Sequence, residues 1–245
     1  MDPIFLGLAY MEAAVLTDIG LVRKQNQDRY LVDVNRGLFV ICDGMGGHRA
    51  GEVAAEMAVN TVNECFVSTG EAPEVALVRA ILEANRRILL RGQEKEEYYN
   101  MGTTITAAYI CGRELYVASV GDSRLYIINE SGIDKVTNDH TLAEKLFQEG
   151  LVAENGQGRQ LYRHILTRAL GLEEGLEVDL HKRELKEGDL ILLTSDGLTD
   201  LVEEEEIQSF ALSENDLKEA LNRMLKLALA RGGYDNITMI LVRVP

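Results

Sequence analysis

GTTITAAYICGRELYVASVGDSRLYIINESGIDKVT, residues 102–137, is the stretch that decides the architecture. TTITAAYI, ELYVASVG and RLYIIN are apolar runs rich in β-branched and aromatic side chains, and each reads as a strand. Only Cys111-Gly112-Arg113 and Gly121-Asp122-Ser123 separate them. A parallel crossover needs a dozen or so residues, so successive strands here must run antiparallel.

The same reading extends in both directions. Upstream, YLVDVNRGLFVIC at 30–42 predicts a hairpin turning at Asn35-Arg36-Gly37. Apolar residues recurring through Val53, Ala54, Met57, Ala58, Val62, Cys65 and Phe66 predict a helix near 50–67. A second helix is expected over about 74–91, with Pro73 near its start. Downstream, a short helix at about 141–149 stops at Gly150, and 151–176 is the least regular stretch. EVDLHKREL and DLILLTS read as strands around Lys186-Glu187-Gly188-Asp189. Ser213 and Asp216 suggest a capping box before a helix of about 214–230, ended by Gly232 and Gly233. ITMILVRV is the last strand. Helices in two groups, with β runs before, between and after, define an α+β protein of antiparallel sheets covered by helices, not a doubly wound parallel sheet.

No Pro/Ser-rich linker divides the 245 residues, which contain only three prolines, so one domain over 11–245 is expected. Residues 1–10 are read as an N-terminal extension, since Met11 offers an alternative start. Lys plus Arg number 25 and Asp plus Glu 40, for a formal charge of −15. That balance argues against nucleic acid, whose affinity comes from cationic side chains on phosphates, and against anionic membrane surfaces. It suits a protein that gathers cations. No run reaches the ~18 apolar residues of a membrane span, and no signal-peptide pattern opens the chain. Three scattered cysteines, Cys42, Cys65 and Cys111, read as reduced thiols, hence a cytoplasmic protein.

Several chemistries are excluded by inspection. GxxxxGK[ST], HExxH, CxxC and GxSxG are all absent. Cys42 and Arg49 frame a glycine-rich turn, but six residues lie between them where a cysteine phosphatase loop needs five. What remains is a set of aspartates at strand termini. Asp43, Asp122 and Asp196 end apolar strands; Asp28 and Asp235 stand just before others. A carboxylate there is held by a rigid element yet faces an open edge, and Gly44 and Gly197 let backbone approach a ligand. Taken singly, an aspartate beside a glycine is an ordinary turn former. Brought together, five carboxylates would repel unless cations sat among them, and an all-oxygen set suits Mg²⁺ or Mn²⁺.

The strings LTDIGLVRKQNQD (16–28), VICDGMGGHRAGEVAA (40–55), MGTT (101–104), VGDSRLY (120–126), DHT (139–141), LTRALG (166–171), LLTSDGLTD (192–200) and GGYDNIT (232–238) occur in this order. Together they resemble the PP2C (PPM) family of metal-dependent Ser/Thr protein phosphatases, in its compact bacterial form. The resemblance implies a four-layer αββα sandwich of two antiparallel sheets flanked by helices, with a small flap subdomain at about 145–176. It implies two Mn²⁺ or Mg²⁺ ions and a third, weaker one. By position, Asp43 resembles the carboxylate that bridges both ions, and the Gly44 carbonyl a ligand of one. Asp196 and Asp235 resemble ligands of the other, Asp28 contributes through water, and Asp122 with Asp196 resembles the third site. Asp200 sits where some relatives add a contact. Arg23 resembles the phosphate-binding arginine, whose fork fits phosphate oxygens.

Met45 occupies the position where eukaryotic members carry a histidine, so a metal-bound water is the expected proton donor. His48 is expected to have a structural or surface role, and His140, His164 and His181 are expected to be structural. The implied reaction is direct attack of a metal-bridging hydroxide on phosphoserine or phosphothreonine, with no covalent phospho-enzyme. Phosphoproteins, including a bacterial Ser/Thr kinase, are the implied partners of a monomer. The −15 charge is expected to disfavour acidic phosphopeptides.

Overall fold

The computed structural model describes residues 11–46, 50–67, 70–153 and 161–245. The proposed extension at 1–10, His48 and the middle of the stretch at 145–176 lie outside the described residues. One five-stranded antiparallel sheet has the order β1-β12-β11-β8-β9, from Glu12–Asp18 (β1), Ile237–Arg243 (β12), Leu190–Thr194 (β11), Arg124–Asn129 (β8) and Gly132–Lys135 (β9). The other has the order β10-β7-β6-β3-β2, from Asp179–Glu184 (β10), Glu114–Val120 (β7), Ile105–Cys111 (β6), Leu38–Cys42 (β3) and Arg29–Asp33 (β2). Gly44–Met45 (β4) and Gly102–Thr103 (β5) form a small ribbon beside them. The helices are Ala50–Cys65 (α1), Pro73–Glu94 (α2), Leu142–Gln148 (α3), Asp196–Thr199 (α4), Glu204–Ser213 (α5) and Leu217–Ala230 (α6).

Strand alternation builds the layers. Successive side chains on a strand point to opposite faces, so a strand buried on both faces must be apolar throughout. On β3, Leu38, Val40 and Cys42 pack toward α1 and α2, whereas Phe39 and Ile41 pack between the sheets. On β11, Leu190 and Leu192 face α5 and α6, whereas Ile191 and Leu193 meet Phe39 and Ile41 in the middle. Three hydrophobic layers therefore separate four structural ones, and the αββα sandwich is present.

The turn at Asn35-Arg36-Gly37 joins β2 and β3 as read from sequence, with Gly37 at φ +69° and its amide on the Val34 carbonyl at 3.2 Å. Two other short links do something different. β7 and β8, three residues apart, lie in different sheets, as do β10 and β11. The first link bends at Gly121, φ +104°, where an added Cβ would lie 2.6 Å from the Thr104 side chain. Asp122 is thereby delivered to one end of the sandwich, between the sheets. The helix expected from 214 starts at Leu217, capped by Asp216, whose Oδ1 accepts from the Lys218 amide at 2.8 Å. Ser213 instead closes α5, a helix the sequence reading did not separate.

Candidate metal and phosphate site

At the end of the sandwich, Asp43, Asp122, Asp196 and Asp235 converge on one cavity of about 580 Å³, together with Arg23, Gly44 and Asp200. Asp43 leaves β3 beside the β4–β5 ribbon. Its amide donates to Thr104 Oγ1 at 2.9 Å, and its carbonyl accepts from Thr103 Oγ1 and the Thr104 amide, each at 2.9 Å. The MGTT string thus fixes the backbone on which the Asp43 carboxylate turns. Thr104 Oγ1 also meets Ser123 Oγ at 2.7 Å, which ties Asp43 to the turn carrying Asp122. His140 braces that turn from behind: the Gly121 amide donates to its Nδ1 at 3.1 Å, and its Nε2 stands 3.1 Å from Asp179 Oδ2.

Gly44 is required by packing. A Cβ there would lie 2.2 Å from the Gly51 carbonyl oxygen at the start of α1. Asp196 opens α4 directly after β11. Asp28 lies behind the cavity, buried, with Oδ2 accepting from Ser195 Oγ at 2.8 Å; the Thr238 amide in turn donates to that hydroxyl at 3.0 Å. The remaining oxygens are the informative ones: Asp28 Oδ1 and Asp196 Oδ1 are buried with no hydrogen-bond partner among the described residues.

The electrostatics are those of an anion cluster. Burial and the charges of Asp28, Asp196, Asp122 and Asp235 hold the Asp43 carboxyl well above the carboxylate range. Burial also pushes Asp28 up to about 7, against hydrogen bonds from Thr238 and Ser195, with Asp196 and Asp235 adding to the rise. Asp122 is pushed to about 8 by burial and the nearby Asp196 and Asp139. Crowded, oxygen-only, partly orphaned carboxylates are what divalent cations would neutralise, so the residues present fit Mg²⁺ or Mn²⁺.

Arg23 stands at the rim, half-exposed, with its guanidinium 2.5 Å from Asp235 Oδ2. Asn236, buried beneath, fastens the loop before β2. Its Nδ2 donates to the Ile19 and Gln25 carbonyls, each at 3.0 Å, and its Oδ1 accepts from the Gln27 amide at 2.8 Å. Across the cavity, Arg163 lies 3.6 Å and His164 Nδ1 3.5 Å from Asp200 Oδ2, and His164 Nδ1 is 3.9 Å from Asp196 Oδ2. His164 therefore corrects the expectation of a structural histidine: it stands at the mouth of the cavity, and its pKa is raised, chiefly by Asp196. His181, on β10, does not line the cavity. Thr104, Ser123, Ser195 and Asn236 were not singled out in sequence, although each sits inside a quoted string.

An αββα sandwich with an oxygen-donor cation pocket at one end defines a class of metal-dependent hydrolases. A sequence model of protein phosphatase 2C matches residues 13–237. The serine/threonine phosphatase stp of Listeria monocytogenes is 36% identical over 240 residues, covering 95% of each chain. The solved serine/threonine phosphatase of S. agalactiae superimposes with a TM-score of 0.90 at 36% identity, over 96% of this chain and all of that one. The catalytic domain of the phosphatase PstP, solved with two manganese ions, gives a TM-score of 0.84 at 32% identity, over 96% of this chain and 98% of the other. The chain belongs to the protein phosphatase 2C family. It is a protein-serine/threonine phosphatase of the bacterial, metal-dependent kind.

Proposed function

We propose that residues 11–245 act as one phosphatase domain in which Asp28, Asp43, Gly44, Asp122, Asp196 and Asp235 hold two divalent cations, Mn²⁺ or Mg²⁺, and a weaker third. The observation that carries this reading is the pair of buried oxygens on Asp28 and Asp196 that find no hydrogen-bond partner among the described residues, beside the crowded Asp43. Bound ions supply Lewis acidity toward phosphoryl oxygens and a lowered pKa for water. Asp43 and Gly44 offer a carboxylate and a carbonyl from one rigid turn; Asp196 and Asp235 face them from the other sheet. Arg23 binds the phosphoryl group: its fork matches two phosphate oxygens, and a phosphate dianion competes for it with Asp235. Substrate phosphoserine or phosphothreonine is cleaved by direct displacement with water: among the described residues no cysteine lines the cavity, and the Thr104 hydroxyl is held by the Asp43 amide and Ser123.

Such an enzyme reverses phosphorylation, so a Ser/Thr kinase must supply its substrates. The free thiols of Cys42, Cys65 and Cys111 suit a reducing, cytoplasmic setting. The test is phosphate release from a phosphothreonine peptide during titration with Mn²⁺ or Mg²⁺. Chelation should abolish release and added metal restore it. Turnover that persists in excess chelator would overturn the metal assignment.

A further inference from the structure

Apolar side chains gather outward around the acidic cavity. On one side, Leu21 is 66% exposed and Val22 60%, immediately before Arg23. Tyr234, next to Asp235, lines the cavity and is 62% exposed. The backbone before Arg23 is tied to the segment that carries Tyr234. The Leu21 amide donates to the Gly233 carbonyl at 2.7 Å. Gly20, at φ +77°, leaves no room for a Cβ, which would lie 2.3 Å from the Asp235 carbonyl oxygen. On the opposite side of the cavity, Leu161 and Ile165 are exposed on either side of Arg163 and His164, which turn toward Asp200.

Large apolar side chains clustered in the open mark binding surfaces, whereas single ones need no explanation. Here Tyr234 lines the reaction cavity itself, and Leu21 and Val22 lead directly into Arg23 at its rim. The reaction itself says what crosses that rim: a polypeptide whose phosphorylated side chain points inward. The residues flanking the phosphoresidue must then lie against the surface around Arg23 and Tyr234, where Leu21 and Val22 are exposed. A chain of formal charge −15 with a carboxylate-lined cavity repels acidic flanks, and the shelf offers apolar flanks a surface to bury.

We propose that the Leu21–Val22–Tyr234 shelf selects phosphoserine and phosphothreonine segments whose neighbouring residues are apolar, making Leu21 and Val22 specificity-determining residues. The proposal rests on the phosphatase reading of the cavity. It is tested with the full chain in Mn²⁺, on three phosphothreonine peptides of equal length flanked by Leu/Val, by Ser or by Glu. p-Nitrophenyl phosphate serves as a flank-free control. Wild type should show kcat/KM roughly tenfold higher on the Leu/Val peptide than on the Ser peptide, the scale of burying one aliphatic side chain. L21S/V22S should bring that ratio to within about twofold while p-nitrophenyl phosphate turnover stays unchanged, as expected where the altered contacts touch only the flanks. Equal kcat/KM on the Leu/Val and Ser peptides, with normal p-nitrophenyl phosphate turnover, would overturn the shelf and leave the phosphatase reading standing. So would a ratio that survives L21S/V22S. Failure of wild type on every substrate would overturn the phosphatase reading, and the shelf with it. Should the double variant not fold, the wild-type peptide comparison decides alone.

Discussion

Asp43 occupies a position where a lone carboxylate is destabilising. It is desolvated and shares its cavity with Asp122, Asp196 and Asp235. Replacing it should therefore separate function from stability. Asp43→Asn is expected to reduce phosphatase turnover by several orders of magnitude while raising the melting temperature of the metal-free protein. Thermal scans in chelator beside an activity assay check both halves. A lower metal-free melting temperature would mean that the carboxylate is satisfied by the protein alone. Arg23 calls for the reverse pattern. Arg23→Ala removes a half-exposed group that touches Asp235 from the rim, so it should mainly raise KM for phosphosubstrates. A collapsed kcat with unchanged KM would contradict a binding role.

At the scale of elements, the site depends on how loops are tied to strands. Asn236 gathers three backbone groups of the loop that carries Arg23. Each bond is worth about 1 kcal/mol net, and a buried backbone group left unpaired costs more. Asn236→Ala should therefore weaken phosphosubstrate binding through Arg23. In a double-mutant cycle with Arg23→Ala the two effects on KM should be far from additive. Much of this level was legible in the sequence, for definite reasons. β3, β8 and β11 read as nearly continuous apolar runs because both faces of these strands are covered. The aspartates stood out because strands end at them. Sheet membership was not legible: the three residues between β7 and β8 have a hairpin's length, and only the bend at Gly121 against Thr104 sends the chain across. Helix α5 was hidden by the acidic run Glu203–Glu206 at its start, which covers the apolar period with charge. His164 carried no signal at all, since nothing local to it says that its segment folds back over Asp200.

At the scale of the molecule, the acidic cluster links stability to pH and metal. In the metal-free fold Asp28 titrates near 7 and Asp122 near 8, against about 4 in an unfolded chain. Between those values the folded state binds more protons than the unfolded state, so stability falls as pH rises through the window. The melting temperature in chelator should thus be higher at pH 5.5 than at pH 8. Saturating Mn²⁺ should reverse the order. Ions at ~100 times their dissociation constant add about 2.7 kcal/mol, some 5–10 °C for a chain of this length. Scans at the two pH values with and without metal measure the crossing. A metal-free protein that grows more stable toward pH 8 would mean the carboxylates are dispersed, not clustered.

The order of strands bears on how the enzyme is made. β12 is paired with β1 on one side and β11 on the other, so the strand that completes the first sheet comes from near residue 240. Asp235 and Asn236 precede it directly. Without residues 235–243 the chain keeps Asp28, Asp43, Asp122 and Asp196 but loses Asp235, the strand that joins β1 to β11, and the clamp on Arg23. Completion of the site therefore waits on the pairing of β1 with β12, two strands more than 200 residues apart in the chain.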